Sequence, residues 1–461
     1  MCGAWGWAAV TSYAVCADVG STHTKVLVVD LADGALLGTA SVATTSATDV
    51  MVGLEAAVGQ ATAAGRVAGG RAPWYVCSSA GGGLRLAVVG YEELVTAEAG
   101  RRVGLSAGAR VVHVAAGRLD ASAVAAVRAA RPDVVLLVGG TDGGDGEVLL
   151  HNAGRLARAR WRVPVVLAGN VEVREEAREV LAQRGVPVTV AENVLPDIGV
   201  LRPGPAREAI RQVFLRHVIG GKRLSRGRRF AGLVRAATPD AVLSGVEALA
   251  DHLDGDLLVV DVGGATTDVY SALTADERAE GAGQPVAGMW WRSRTVEGDL
   301  GVRWSAPDVV RAAGAEGLLG EDEQRSLAQA AAVRAGDPGL LPAGPEDWAV
   351  DRRLAGLAAT LAVRRHARAR PGEWSGRDLR DVRLVVGSGG VLRHDEPRQA
   401  RQVVTQILDD HGGGWPVPRA ARAVVDVEYV LAAAGLLAGE HPQAAVGLLR
   451  RRLLTGEPVG W

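Results

Sequence analysis

The sequence predicts an α/β protein with two lobes and an inserted parallel α/β middle domain. Two hairpins of the same form, in which a strand delivers an Asp followed by glycine and hydroxyl residues, lie at 18–25 and 261–268. A later apolar strand runs into a glycine turn at 387–390, and strands alternate with helices from 111 to 190. At 461 residues the chain exceeds one ordinary hydrophobic core, so several domains are expected.

The first hairpin has the residue types of a phosphate-binding turn. Apolar runs at 14–17 and 26–29 flank it. Gly20 lets the backbone bend and approach a ligand, Lys25 adds a positive charge, and Asp18 supplies a carboxylate for a phosphate-bound Mg²⁺. The donors to phosphate oxygens are the hydroxyls and amides of Ser21, Thr22 and Thr24. An ordinary hairpin turn is the alternative.

The second hairpin repeats this order. The strand 257–260 delivers Asp261, and another strand leaves at 269–270. The candidate ligand-binding residues of this turn are Gly263, Gly264, Thr266, Thr267 and Asp268. The late turn offers bare backbone against which a nucleoside can lie, at Gly387, Ser388, Gly389 and Gly390.

Charge is concentrated at 294–303, where two acids, Glu297 and Asp299, stand among two arginines and two glycines. This segment has two interpretations. It is either the salt-bridged start of a helix or a loop that faces nucleotide and metal.

The middle of the chain predicts a parallel sheet with helices on both faces. Its strands are expected at 111–115, 134–138, 165–168 and 188–190. Polar loops follow three of them, with Gly and Asp or Asn at 139–145 and 169–170 and with Glu and Asn at 192–193. These loops indicate either a ligand site at the carboxyl ends of the strands or ordinary helix caps.

The composition argues against several classes of function. With 51 basic and 52 acidic residues and few aromatic ones, the chain shows no sign of a nucleic-acid partner. No apolar run reaches the roughly 18 residues that a membrane span needs. Three cysteines without disulfide or metal spacing fit a reducing compartment, so we expect a cytoplasmic protein.

The two hairpins and the late glycine turn together resemble the actin, Hsp70 and sugar-kinase superfamily of two-lobed ATPases, which have a ribonuclease H-like fold. The resemblance implies that the hairpins hold the phosphates of ATP from both sides of a cleft and that the late turn holds adenosine. It implies five segments: a first ATPase lobe at 1–73, a middle α/β domain at 74–215, connecting helices at 216–255, a second ATPase lobe at 256–425, and C-terminal helices at 426–461.

Further motifs are similar to those of the glutamate mutase accessory proteins, a MutL-type family that is unrelated to mismatch repair. They lie at 77–84, 137–144, 168–170, 192–196, 261–268 and 294–303. The resemblance covers roughly residues 14–440 and implies an ATPase that reactivates an adenosylcobalamin-dependent mutase, with a mutase subunit as its partner.

The resemblance also implies roles for individual residues. Asp18 positions Mg²⁺ and its waters, and Asp261 orients or deprotonates the attacking water and meets Mg²⁺ mainly through water. Lys25 holds phosphate, and Thr266 and Thr267 lie on the other side of the γ-phosphate. A small-molecule kinase of the same superfamily is the alternative, and a filament-forming relative is a third reading.

One further pattern concerns cobalamin itself. Residues 409–414 fit the Asp-x-His-x-x-Gly pattern by which many mutases supply a histidine to cobalt. The pattern requires a following domain with a serine loop, and no serine occurs after Ser388. We therefore expect a linker here and no directly bound cobalamin.

Overall fold

A sheet of five strands surrounds the first hairpin. The computed structural model describes residues 12–65, 67, 72–80, 84–198, 200–219, 224–227, 229–253, 255–273, 292–368 and 377–455. The strands are β1 (Tyr13–Val19), β2 (His23–Asp30), β3 (Leu36–Ala43), β4 (Trp74–Ser78) and β10 (Val234–Ala237), in the order β10-β4-β1-β2-β3. β1 pairs antiparallel with β2 and parallel with β4. Its unbroken apolar run is buried because β1 is the central strand.

A second sheet repeats this arrangement around the second hairpin. Its strands are β11 (Leu257–Val262), β12 (Thr267–Ala272), β13 (Arg292–Glu297), β14 (Leu384–Ser388) and β15 (Arg422–Val425), in the order β13-β12-β11-β14-β15. β11 pairs antiparallel with β12 and parallel with β14, as β1 does with β2 and β4. Each sheet thus has three antiparallel strands followed by two parallel ones.

The third sheet is wholly parallel. It contains β5 (Arg85–Gly90), β6 (Arg110–Ala116), β7 (Val134–Leu137), β8 (Val165–Leu167) and β9 (Val188–Val190), in the order β6-β5-β7-β8-β9. This is the doubly wound order of flavodoxin-like domains, and β6 and β9 are its edge strands. Two sheets of repeated topology and an inserted parallel α/β domain confirm the predicted fold class.

Helices follow or cover the strands of all three sheets. They are α1 (Val50–Ala64), α2 (Glu98–Ser106), α3 (Ala121–Ala129), α4 (Glu147–Arg158), α5 (Val171–Ala182), α6 (Pro203–Val213), α7 (Arg229–Leu233), α8 (Thr238–His252), α9 (Ala306–Ala315), α10 (Glu321–Gly336), α11 (Pro345–Ala367), α12 (Gly390–His394), α13 (Pro397–Leu408), α14 (Val430–Leu437) and α15 (Pro442–Leu449). No helix within these described ranges is long and apolar enough to cross a membrane.

The chain divides into two units. The first contains Met1–Gly83, Phe214–Leu249 and Val430–Trp461, and so includes the first sheet. The second contains Leu84–Val213 and Ala250–Tyr429, and so includes both other sheets. The parallel sheet is inserted in the chain between β4 and β10, which are neighbours in the first sheet, yet it packs as part of the second unit.

One sequence interpretation differs from the structure near the second hairpin. Residues 294–297 belong to strand β13, so the interpretation of this segment as the start of a helix is wrong. Farther along the chain, α11 begins at Pro345. Proline is tolerated there because the first turn of a helix has unpaired N–H groups.

Within the first unit, α8 and α14 cross with their backbones in close contact. A Cβ built on Gly245 would lie 2.0 Å from the carbonyl oxygen of Leu431, and one on Gly435 would lie 1.8 Å from that of Ala241. Each glycine is therefore required by the approach of the other helix.

We predict that Gly245→Ala lowers the free energy of unfolding by about 1–3 kcal/mol, because the added methyl group forces these two helices apart. Gly59→Ala is the matched control, since Gly59 also lies inside a helix but a Cβ there meets nothing within 4 Å. The control should stabilise its helix by up to about 1 kcal/mol. Urea unfolding measures both changes, and equal effects would show that the helices can separate without cost.

Candidate functional site

The first hairpin closes through a glycine. The amide of Gly20 donates to the carbonyl of His23 at 3.0 Å, and a Cβ on Gly20 would lie 2.8 Å from that same oxygen. Only glycine therefore permits this turn without displacement. Ser21 and Thr22 are exposed at its tip, where their hydroxyls and amides are accessible to a ligand.

Asp18 is held by three side chains of the first unit. Thr238 at the start of α8 donates its hydroxyl to Asp18 Oδ1 at 2.6 Å. Lys25, its cross-strand partner, places Nζ 3.5 Å from Asp18 Oδ2. Cys77 on β4 places its thiol 3.7 Å from Oδ1. Burial raises the pKa of the Cys77 thiol well above its usual range, and Asp18 raises it further, so the thiol stays protonated.

Thr24 does not join the hydroxyls of the turn. Its side chain is fully buried and forms a 3.0 Å hydrogen bond with the hydroxyl of Thr44. Successive side chains on a strand point to opposite faces, so Thr24 and Lys25 face opposite sides of β2. The structure thus brings Lys25 to Asp18 and places Thr24 in the packing against Thr44.

The second hairpin has the same closure. The amide of Gly263 donates to the carbonyl of Thr266 at 2.9 Å, and a Cβ on Gly263 would lie 2.9 Å from this oxygen. Asp261 precedes Gly263 by two residues, as Asp18 precedes Gly20. Thr267 is fully buried and donates its hydroxyl to the carbonyl of Leu300. Its hydroxyl therefore supports the loop after β13.

That loop packs its backbone onto the second turn. The amides of Arg303 and Trp304 both donate to the carbonyl of Gly264, at 2.8 and 2.9 Å. Arg303 in turn bonds the buried Asp351 at 2.6 Å, and Arg334 bonds the other oxygen of the same carboxylate. A buried carboxylate between two arginines thus anchors the backbone that supports the turn.

Asp268 forms a buried pair behind the second turn. Arg294 Nη2 lies 3.2 Å from Asp268 Oδ1, and its guanidinium lies 5.6 Å from the centre of the Tyr270 ring. Burial raises the pKa of Asp268, while the charge and hydrogen bond of Arg294 oppose this rise. The contact with Arg294 is that of a side chain that supports the sheet.

Glu297 and Asp299 converge on one arginine of α11. Arg365 Nη1 lies 3.0 Å from Glu297 Oε2 and 2.6 Å from Asp299 Oδ1, and its Nη2 bonds Asp299 Oδ2 at 2.9 Å. Hydrogen bonds from Arg365 lower the pKa of Asp299. The salt bridges that the sequence suggested therefore exist, but they join a strand and its following turn to a distant helix.

The late glycine turn, at 387–390, lies against β11, the strand that enters the second hairpin. Gly389 has a φ of +113°, and a Cβ there would lie 2.1 Å from the carbonyl oxygen of Val262. Ser388 is buried next to Asp261 in the parallel pairing of β14 with β11. A Cβ on Gly387 would lie 2.4 Å from a methyl carbon of Val404, whereas one on the exposed Gly390 would meet nothing within 4 Å. The structure thus brings Asp261 and this turn together within the second unit.

The polar loops of the parallel sheet bond to one another. Asn193 donates to the carbonyl of Gly140 and to Asp142 Oδ1, both at 2.9 Å. Asn170 caps α5 by accepting from the amide of Glu172, and donates to the carbonyl of Gly144. The cap interpretation accounts for Asn170, and Asn193 links neighbouring loops.

Comparison with known proteins decides the family. The family model described as MutL protein matches residues 14–453. Protein MutL of Clostridium tetanomorphum is 35% identical over 459 residues, which cover 95% of this chain and 98% of that protein. The chain belongs to the MutL family. This confirms the family resemblance that the motifs predicted.

Solved structures similar to this MutL-family chain are more distant. One is the activator of the 2-hydroxyisocaproyl-CoA dehydratase from Clostridium difficile with bound ADPNP, which is 9% identical with a TM-score of 0.34 and covers 97% of this chain and 100% of that one. Another is the ethanolamine utilization protein EutJ from Carboxydothermus hydrogenoformans, 12% identical with a TM-score of 0.31 over 95% of this chain and 89% of that one.

The donor set of this MutL-family chain suits a hard cation. In the part of the chain that the structure describes, no group of three or more His, Cys, Asp or Glu side chains forms a ready metal site. A nucleotide-bound Mg²⁺ needs only one or two carboxylates, because phosphates and waters complete its shell. Asp18 and Asp261 each stand two residues before a turn glycine, so the residues present fit Mg²⁺ carried by a nucleotide.

Sequence reasoning missed three side chains that support these turns: Thr238, Arg294 as the partner of Asp268, and Arg365. Thr238 stands directly before Pro239 at the start of α8. Its bond to Asp18 joins residues 220 positions apart. A hydroxyl residue directly before a helix proline was the available signal, but it indicates a cap and says nothing of a distant carboxylate.

We predict that Arg365→Lys lowers the free energy of unfolding of this MutL-family chain by about 1 kcal/mol at neutral pH, because a compact ammonium cannot make the bidentate contact with Asp299 while also reaching Glu297. The folded-state pKa of Asp299 lies below its unfolded value. Its pairing therefore stabilises the fold above the unfolded pKa and is lost as the pH falls through the folded pKa. The difference between variant and parent should shrink on acidification, as urea unfolding at several pH values measures.

Arg325→Lys is the control for this prediction, because Arg325 pairs with Asp322 at a site where the two side chains are 78% and 95% exposed. It should leave the unfolding midpoint unchanged at every pH. A loss for Arg365→Lys that stays constant down to the acid limit would contradict a role of the Asp299 charge.

Proposed function

We propose that this protein is an ATP-dependent reactivating factor for an adenosylcobalamin-dependent mutase such as glutamate mutase. One observation carries the ATP part of the proposal. Asp18 and Asp261 are each the penultimate residue of an equivalent central strand, and each precedes a glycine whose amide bonds the carbonyl three residues later, at 3.0 and 2.9 Å. Membership of the MutL family supports the mutase part.

The two turns would supply most of what ATP needs. The amides and hydroxyls at Gly20, Ser21 and Thr22 would donate to phosphate oxygens, and Lys25 would add a compact positive charge. The tip of the second turn, with Gly264 and Thr266, would meet the γ-phosphate. The exposed backbone of Gly390 would be open to adenosine.

The reaction requires positioning more than covalent chemistry. Phosphoryl transfer is accelerated mainly by alignment and by neutralisation of charge, and Mg²⁺ would supply part of that neutralisation when bound. Asp261 would orient the attacking water or accept its proton. Asp18, held by Thr238, would orient waters around the cation. Hydrolysis would then drive the conformational change by which the partner releases its damaged cofactor.

The direct test is reactivation. Adenosylcobalamin-dependent glutamate mutase that has lost activity during turnover is mixed with this protein, free adenosylcobalamin and MgATP. We expect activity to return with ATP and to stay lost without it. Asp261→Asn should bind MgATP as the parent does but lose about two to four powers of ten in turnover, the scale of a general base, and should not reactivate. ATP turnover that depends on a small metabolite, with no reactivation, would instead indicate a kinase.

Lys25 gives a second test. It and Lys222 are the only lysines among 51 basic residues, so arginine has replaced lysine almost everywhere else. A compact ammonium 3.5 Å from Asp18 fits a narrow phosphate pocket, whereas the planar guanidinium requires a wider approach. We expect Lys25→Arg to weaken ATP affinity or turnover at least tenfold although the charge is kept.

Lys222→Arg, at a position outside the described residues, is the control for this test and should change neither quantity. Isothermal titration with a non-hydrolysable ATP analogue and a phosphate-release assay measure both variants. A fully active Lys25→Arg would remove Lys25 from the phosphate site.

A further inference from the structure

An edge strand of the parallel sheet borders a cavity inside the second unit. The cavity, of about 370 Å³, is lined by five consecutive residues of β6, Arg110 to Val114. The pairing of β6 with β5 skips Val112, so a β-bulge interrupts the alternation of side chains within this stretch. β6 pairs only with β5 in the described part of the chain, so this edge retains unpaired backbone groups.

The opposite wall of the cavity belongs to the second sheet. It is formed by Val296 on β13, by Gly298 directly after it, and by Thr266 of the second hairpin. β13 is likewise the last strand of its sheet. α2 contributes Arg101 and Leu105 to the lining. The cavity is therefore bordered by edge strands of two sheets, and we call it the slot.

The lining of this slot is basic. It contains Arg101, Arg110 and His113 and no carboxylate. Arg101 is neutralised by Glu98 through two hydrogen bonds of 2.6 and 2.7 Å. Arg110 is exposed and His113 is half-buried, and neither has an ion-pair partner among the described residues. Val114 is 38% exposed, so the slot also offers apolar contact. An extended segment with acidic and apolar side chains complements this surface.

We propose that an extended acidic segment of the partner mutase adds to the edge of β6 as a further strand. This inference rests on the proposed function for the identity of the partner. Main-chain hydrogen bonds to a sheet edge would give the affinity, and the carboxylates of the segment would select this edge through Arg110 and His113. The occupant would also contact Thr266, so the partner would bind beside the turn proposed to hold the γ-phosphate.

The chain offers a matched pair of variants. Val114 on β6 and Val190 on β9 lie on the two edge strands of the same sheet and are 38% and 39% exposed. Val114→Glu places a negative charge where the acidic segment would pair and should weaken mutase binding at least tenfold. Val190→Glu makes the same change at the other edge and should alter binding less than twofold. Biolayer interferometry with immobilised glutamate mutase and the full-length variants measures both.

A peptide experiment tests the backbone pairing itself. Overlapping 15-residue peptides that span the mutase sequence are titrated against the full chain. We expect binding by an acidic peptide, loss of that binding in Val114→Glu, and a loss of at least tenfold when alternate peptide bonds of the peptide are N-methylated, because strand addition uses those N–H groups. Binding that tolerates methylation at every position would overturn strand addition, since contacts between side chains alone would explain it.

The outcomes separate this inference from the proposed function. If ATP and the parent chain reactivate the mutase while Val114→Glu binds it as Val190→Glu does, the β6 site is wrong and the proposed function stands. If Val114→Glu abolishes self-association of the chain and leaves mutase binding intact, a second copy occupies the slot and the inference is overturned. If the parent neither binds nor reactivates the mutase, both fail.

Discussion

The closure of a hairpin by a glycine amide is the constraint on which the rest of this structure depends. In both hairpins the amide bonds the carbonyl three residues later, at a spacing that a Cβ would disturb. The closure brings the strand that leaves the turn back beside the strand that entered it. An aspartate near the end of the first strand is then fixed at the mouth of the turn, as Asp18 and Asp261 are. A carboxylate at each mouth follows from the repeated local geometry and needs no long-range contact.

Long-range contacts serve instead to hold the turns in place, and most of them use arginine. Arg303 and Arg334 share the carboxylate of Asp351, and Arg365 joins Glu297 to Asp299. The planar guanidinium donates in several directions at once, so one arginine can join two carboxylates or a carboxylate and a carbonyl. An arginine-rich chain can therefore tie a loop to a helix with single side chains. Lysine, with its compact head, stands beside Asp18 at the first turn.

The sequence alone was sufficient to predict the elements whose conformation is determined by neighbouring residues. The hairpins, the late glycine turn and the parallel sheet each follow from the order of neighbouring residues, and all are present. It was insufficient to predict the contacts of residues whose partners lie far away in the sequence. Thr24 has the residue type of a phosphate donor but is turned to Thr44 by the alternation of β2. Thr238 meets Asp18, and Arg365 meets Asp299, across 220 and 66 positions.

The chain leaves the first sheet and returns to it at neighbouring strands, which its composition does not indicate. The inserted parallel domain leaves the first sheet at the end of β4 and returns at β10, and these two strands are parallel neighbours. The end of β4 also touches the first turn, where Ser78 donates to the carbonyl of Val19 and the thiol of Cys77 meets Asp18. The domain itself packs in the second unit, on the sheet that carries Asp261. The first turn and the domain that carries β6 are thus joined directly along the chain by residues 79–84, between β4 and β5.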